Sequence, residues 1–183
     1  YIIDEVKVGD TIYNPLPQFM SYGLTTMHLS LCNKLHMYMM SIASPKTFGA
    51  DIFKLKPSII YGGPIHYLQG RKSKKMQKAD LSHTKIAVSG GERLGSKEEQ
   101  QNNDFYCSLG MQDELYNGYG ASETSGVYSV KKGRHNSFGS VGYPFPKNNI
   151  KILDPNTGEE LCYLTDGKKS GDIYITGASM MVG

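Results

Sequence analysis

Cysteine is scarce in this chain: Cys32, Cys107 and Cys162 stand at wide, unrelated spacings among 183 residues. An odd number so dispersed excludes a disulfide framework and the paired spacing of a zinc site, leaving reduced thiols in the core or on the surface. Long apolar runs are also missing. None approaches the roughly 20 residues that a membrane-spanning helix needs, and the N-terminal YIIDEVKVGD has neither the basic region nor the cleavage site of a secretory signal. A cytoplasmic protein is the expectation. The five histidines, His28, His36, His66, His83 and His135, lack metal-ligand spacing, so each reads as a lone core or surface residue, with His28 and His36 two turns apart on one apolar helix. No Gly-x-Ser-x-Gly elbow surrounds Ser89 or Ser122, which excludes the hydrolases built on that turn. A large excess of one charge is absent too, the formal net charge being +3. The one dense basic run, Arg71 to Lys78, has no interleaved aromatic residues to stack on single-stranded nucleic acid and reads as one solvated helix face.

What is present is an ordinary globular composition, 39% hydrophobic and 20% charged, in a chain long enough to bury a sizeable core. Strand and helix signals alternate: a strand at 11–16 closed by Pro15 and Pro17, a long Leu- and Met-rich helix at 22–42, and a helix at 48–55. A buried strand at 58–61 then leads through Gly62-Gly63-Pro64 into a helix at 65–78. Next come a strand at 84–89, a polar helix at 96–109 stopped by Gly110, and a strand at 114–119. Regular alternation predicts parallel pairing. Beyond Ser125 the pattern changes to short strands at 127–130, 150–153 and 172–176, separated by Gly, Pro and Asn. Asp154-Pro155-Asn156-Thr157-Gly158 carries the chemistry of a turn between two of them. The expected fold is therefore α/β, a mostly parallel sheet with flanking helices over residues 1–130, followed by a short β-rich segment over 131–183.

The richest stretch chemically is Asn117-Gly118-Tyr119-Gly120-Ala121-Ser122-Glu123-Thr124-Ser125-Gly126. Its glycines permit close backbone approach to a ligand, Tyr119 offers a flat face for a base, Ser122 a hydroxyl for a phosphate and Glu123 a hard oxygen for magnesium. About thirty residues upstream, Ala87-Val88-Ser89-Gly90-Gly91-Glu92-Arg93-Leu94 reads as a buried strand entering another glycine turn. In a parallel sheet such turns converge beyond the carboxyl ends of the strands, which is where ligands bind.

These motifs resemble the adenylate-forming enzymes: acyl-CoA synthetases, luciferases and the adenylation domains of nonribosomal peptide synthetases. Tyr119-Gly120-Ala121-Ser122-Glu123 is similar to that family's Tyr-Gly-x-Thr-Glu motif with serine for threonine, and Ser89-Gly90-Gly91-Glu92 to its adenine-side loop. Two later segments, GSVGYPFP at 139–146 and GDIYITGASMMVG at 171–183, resemble further signatures in the same order. The resemblance implies a flavodoxin-like subdomain and an enzyme in which a carboxylic acid attacks ATP, pyrophosphate leaves, and the acyl-adenylate passes its acyl group to the thiol of CoA or of carrier-bound phosphopantetheine. It implies that Gly90, Gly91, Glu92, Asn117, Gly118, Tyr119 and Gly120 hold ATP or AMP, that Ser122 donates to the α-phosphate, and that Glu123 positions Mg2+. Tyr61, Gly62, Gly63 and Pro64 would border the acyl group. Leu16-Pro17-Gln18-Phe19-Met20-Ser21-Tyr22-Gly23 resembles a further family segment in which Met20 replaces the histidine of many acyl-CoA synthetases.

Each residue also has a plainer role: Glu123 as a solvated carboxylate or helix cap, Tyr119 as a core aromatic at a strand end, Gly90 and Gly91 as an ordinary strand-to-helix turn. The family's lysine-bearing phosphate loop, ribose-binding aspartate and late catalytic lysine have no counterpart in these residues, so the chain is expected to be the middle of a larger enzyme and inactive by itself. The alternatives are a homologue that binds nucleotide or acyl ligand without chemistry, an adenylation domain loading a carrier protein, and a flavodoxin-like interaction module.

Overall fold

The computed structural model describes residues 6–40, 44–132, 137–162 and 170–181. Its centre is a seven-stranded sheet in the order β2-β1-β3-β4-β5-β6-β7. The first five strands run parallel: β1 (Thr11–Asn14), β2 (His36–Met39), β3 (Ile59–Gly62), β4 (Ile86–Ser89) and β5 (Tyr116–Ala121). Two antiparallel strands, β6 (Gly126–Val130) and β7 (Tyr143–Pro144), complete it. A separate antiparallel pair, β8 (Asn148–Leu153) and β9 (Asp172–Gly177), follows. The expected α/β fold with a β-rich sequel is the observed one.

Strands β1, β3 and β4 are buried on both faces, so they read as continuous apolar runs whose alternate residues enter different cores. Tyr13, Ile60 and Ala87 face one core, packed with Phe48 and Ile52 of α2 (Phe48–Leu55), Tyr67 of α3 (Pro64–Lys72) and Tyr106 of α4 (Ser96–Ser108). Ile12, Ile59, Ile86 and Val88 face the other, against Tyr22 of α1 (Ser21–Cys32). At the end of α4, Gly110 adopts φ +99°, the left-handed stop that its position predicts. In the 154–158 turn, Gly158 has φ +72° and donates to the Asp154 carbonyl at 2.8 Å.

Two sequence expectations are corrected. The helix expected over 22–42 ends at Cys32: Lys34 turns left-handed at φ +54°, Leu35 N–H closes onto the Ser30 carbonyl at 2.9 Å, and the chain re-enters the sheet as β2. The same apolar residues satisfy a two-residue period, with Met37 packing on one core and Tyr38 and Met40 on the other, and parallel pairing with β1 decides between the two periods. His36 is consequently on a strand and not on one helix with His28. The helix expected over 65–78 is also split. Backbone at Ser73 is extended (ψ 122°) where it passes Gly49, and a 3-10 turn at Met76–Lys78 buries Met76 completely. The basic run is thus not a single helix face: Arg71 and Lys72 close α3, while Lys74, Lys75 and Lys78 surround a buried methionine.

Candidate functional site

Val88 and Ser89 of β4 pair with Tyr116 and Asn117 of β5, so the loops that follow leave the sheet side by side. A Cβ on Gly90 would lie 3.3 Å from the Gly118 carbonyl oxygen and 3.2 Å from the Tyr22 ring, which marks how closely the two loops and α1 converge. Gly91 continues at φ +84°. Between Tyr119 and Gly120 the β5–β6 register slips, and a Cβ on Gly120 would meet the Gly126 carbonyl oxygen at 1.9 Å. Only glycine fits that return.

The turn Ser122–Thr124 is fixed from within and from outside. Thr124 Oγ1 accepts the Ala121 N–H at 3.0 Å and lies 2.9 and 3.0 Å from the Ala121 and Gly126 carbonyl oxygens. The Glu123 carbonyl accepts the Met181 N–H at 2.8 Å, and Ser125 Oγ donates to the Ser179 carbonyl at 3.0 Å. Ser21 and Ser122 hydroxyls lie 3.4 Å apart, linking the start of α1 to the motif. The exposed side chains of Ser122 and Glu123 thereby project from a backbone held at several points.

Two clefts meet here. The smaller, of about 260 Å³, is lined by Phe19, Met20, Ser21 and Tyr22 on one side and Ala121, Ser122 and Val127 on the other. The larger, of about 580 Å³, lies between Glu92, Arg93 and Leu94 and the segment carrying Phe138, Gly139 and Val141, with Ile173 of β9 at its rim. Gly91, Gly118, Tyr119 and Gly120 line both. A tyrosine-walled recess and a wider cleft bordered by Glu92 and Arg93 therefore share one aromatic ring and one stretch of glycine backbone.

Of the residues singled out from the sequence, Gly90, Gly91, Glu92, Asn117, Gly118, Tyr119, Gly120 and Ser122 are brought together around these clefts. Asn117 is buried and donates from Nδ2 to the Ser140 carbonyl at 3.1 Å. Glu123 stands on the adjoining turn. Tyr61, Gly62 and Gly63 are buried beneath the site and line neither cleft. Tyr61 reaches it through its edge contact with the Tyr22 ring at 5.7 Å, and burial pushes its hydroxyl pKa up to about 12. Pro64 opens onto a third recess between α3 and α4. His66, just inside α3, accepts the Gly63 N–H on Nδ1 at 3.1 Å, and burial holds it below its ordinary pKa.

Sequence reasoning passed over Glu99, Lys131 and Phe138. Nothing in the polar run Glu98-Glu99-Gln100-Gln101 announces that only Glu99 faces inward. Its partner lies 32 residues away, which no local pattern reveals.

The sequence matches the family described as AMP-binding enzyme across residues 1–183. The Long-chain-fatty-acid-CoA ligase of Bacillus subtilis is 31% identical over 183 residues, covering 98% of this chain and 31% of that protein. A probable 4-coumarate-CoA ligase 1 of Dictyostelium discoideum is 30% identical over 178 residues, covering 97% of this chain and 31% of that protein. The chain thus spans under a third of the length of these relatives. The solved structure of a benzoate CoA ligase from Burkholderia xenovorans LB400 shares the fold, with a TM-score of 0.80 at 20% identity over 98% of this chain and 36% of that one.

Proposed function

The chain belongs to the AMP-binding enzyme family, and from that premise we propose that the intact protein is an ATP-dependent ligase that activates a carboxylic acid as its acyl-adenylate and transfers the acyl group to a thiol. The observation that carries this proposal is the sharing of Tyr119 and its neighbouring glycines by two clefts. A reaction between a nucleotide and an organic acid needs two different recesses whose occupants meet at one edge. The larger cleft, bordered by Glu92 and Arg93, suits the nucleotide, with Tyr119 against the base, the backbone of Gly91 and Glu92 on its other side, and Gly90 where it meets the smaller recess. The smaller recess, walled by Met20, Tyr22 and Val127, suits the acyl group.

Ser122, at the boundary, is assigned the α-phosphate. Its hydroxyl keeps the hydrogen-bonding atom of the family threonine and loses only a methyl. A carboxylate oxygen attacks the α-phosphorus, the bond from that phosphorus to the α,β-bridging oxygen breaks, and pyrophosphate departs. A thiol then attacks the carbonyl carbon and AMP leaves, the acceptor being CoA or a carrier-bound phosphopantetheine. Fixed donors matter because an anion must approach a polyanion. Among the described residues no group of three or more His, Cys, Asp or Glu side chains is placed to hold a metal. A single exposed carboxylate fits a magnesium ion that would arrive with the nucleotide, so Glu123 is assigned to hold it. When bound, that ion would neutralise charge shifting toward pyrophosphate.

In this proposal residues 1–130 supply the nucleotide and acyl walls and residues 131–183 the β-rich part that bounds the larger cleft. The test is ATP–pyrophosphate exchange by the intact protein against a panel of aromatic and aliphatic acids. Exchange that depends on one class of acid supports the proposal; nucleotide binding without exchange for any acid would instead favour a non-catalytic homologue.

A further inference from the structure

Beneath the larger cleft lies a buried ion pair that none of the family motifs contains. Lys131 Nζ is 2.8 Å from Glu99 Oε1, and the two side chains are 1% and 0% exposed. Two such charges leave water at considerable cost, and replacing a pair of this kind by apolar residues is often neutral for stability, so its retention calls for a reason other than stability.

The pair's remaining contacts supply one. Glu99 Oε2 accepts the N–H of Gly139 at 2.6 Å. Lys131 Nζ lies 4.7 Å from the centre of the Phe138 ring. Phe138 and Gly139 are consecutive residues of the wall facing Glu92 and Arg93 across the larger cleft. Each member of the pair therefore holds one of two adjacent wall residues. Lys131 N–H also donates to the Asn117 carbonyl at 2.8 Å, at the root of the Tyr119 strand, and Asn117 reaches the Ser140 carbonyl of the same wall. Glu114 stands 3.7 Å from Lys131 at the solvent side. Glu99 belongs to the first turns of α4, which begins immediately after the Gly91–Gly95 loop on the opposite side of the cleft. Both walls are thus referred to one fixed point.

We infer that Glu99 and Lys131 are positioning residues that set the width of the larger cleft for its nucleotide. This rests on the assignment of that cleft to ATP. Neither side chain touches the nucleotide, and the effect passes through Gly139 and Phe138.

The experiment compares two double variants of the intact protein, each of which removes both members of the buried pair so that neither is left there alone, with Glu114 treated identically in the two. E99Q/K131M keeps an amide oxygen for the Gly139 N–H, whereas E99L/K131M keeps none. ATP affinity, the KM and kcat for ATP in pyrophosphate exchange, and hydrogen exchange at the Gly139 amide are measured beside the melting temperature. For E99L/K131M we expect faster Gly139 exchange and about tenfold weaker ATP binding, the scale of one lost charge-assisted hydrogen bond, carried in KM with kcat little changed. E99Q/K131M should stay within about twofold of the parent in ATP affinity. Unchanged ATP affinity in E99L/K131M, with the parent binding ATP, overturns the inference and leaves the ligase assignment standing. Equal losses in both variants accompanied by equal drops in melting temperature overturn it too, since the pair would then act only on stability. A parent that binds no ATP removes the ligase assignment and this inference with it.

Discussion

The Tyr128 hydroxyl, on a fully buried side chain of β6, donates to the Thr176 carbonyl of β9 at 2.6 Å and accepts the Asn149 N–H of β8 at 2.8 Å. One phenol thus joins the seven-stranded sheet to the two-stranded one. A two-stranded sheet is marginal by itself, and the chain leaving this same end past Gly177 carries the Ser179 and Met181 contacts that latch the Ser122–Thr124 turn. Tyr128→Phe should lower stability by about 1–3 kcal/mol, because the Thr176 carbonyl and the Asn149 N–H each lose a hydrogen bond to a buried phenol. Urea unfolding measures the loss. A change below about 0.5 kcal/mol would show that the joint does not depend on this hydroxyl.

Gly118 and Gly120 both belong to the same glycine-rich strand end and differ in what surrounds them. A Cβ on Gly118 would sit 3.6 Å from its nearest neighbour, the Ser89 carbonyl oxygen, in ordinary contact; on Gly120 it would sit 1.9 Å from a backbone carbonyl oxygen. Gly120→Ala is therefore expected to displace the β5–β6 return, cost about 1–3 kcal/mol and abolish nucleotide binding, whereas Gly118→Ala should fold with near-parental melting. Melting curves and ATP titrations of the two variants check this. Equal behaviour would contradict the geometry.

Acid should weaken the fold through His66 before carboxylates protonate. Burial lowers the His66 pKa from the ordinary 6.5, and burial lowers His83 in the same direction. The unfolded chain then binds more protons than the folded one once the pH drops to about 6.5. Stability is full above that value, declines as pH falls from there toward the folded pKa, and levels off below it. The urea midpoint measured from pH 7.5 to 5.5 should follow this course. His66→Gln, which retains an acceptor for the Gly63 N–H, should flatten part of the slope. An unaltered slope would assign the effect to His83.

Under the proposed assignment, Ser122 acts through its hydroxyl and not through its size. Ser122→Ala should reduce kcat for pyrophosphate exchange by about 10²-fold, the loss typical of one removed transition-state donor, and Ser122→Thr should retain most of the parental rate. Loss in both variants with unchanged ATP affinity would mean that the recess lined by Ser21 and Ser122 has no room for the added methyl.

Much of this architecture is legible in the sequence because β3 and β4, buried on both faces, leave short apolar runs, and 58–61, 84–89 and 114–119 each coincide with observed strands to within two residues. The glycine loops follow from the same logic. Residues 35–40 defeat it. They continue the apolar character of α1, and only pairing with β1, a non-local contact, separates strand from helix. The break at Ser73 is equally non-local, since it answers to Gly49 and to the burial of Met76. Tyr119 and Ser122, which line the clefts, stand within one motif, whereas Glu99 and Lys131 lie outside any motif and look like ordinary surface charges until their burial is known. His135 and the final two residues of the 171–183 segment fall outside the described residues.

The most direct test of the central claim is to follow oxygen from a carboxylate labelled with ¹⁸O through one turnover of the intact protein, using the acid that supports the fastest exchange. If the carboxylate attacks the α-phosphorus and the thiol later attacks the carbonyl carbon, one labelled oxygen stays with phosphorus and appears in AMP, with none in pyrophosphate. Label in inorganic phosphate accompanied by ADP, or thioester formation with no label in any phosphorus product, would contradict acyl-adenylate formation at the junction of the two clefts.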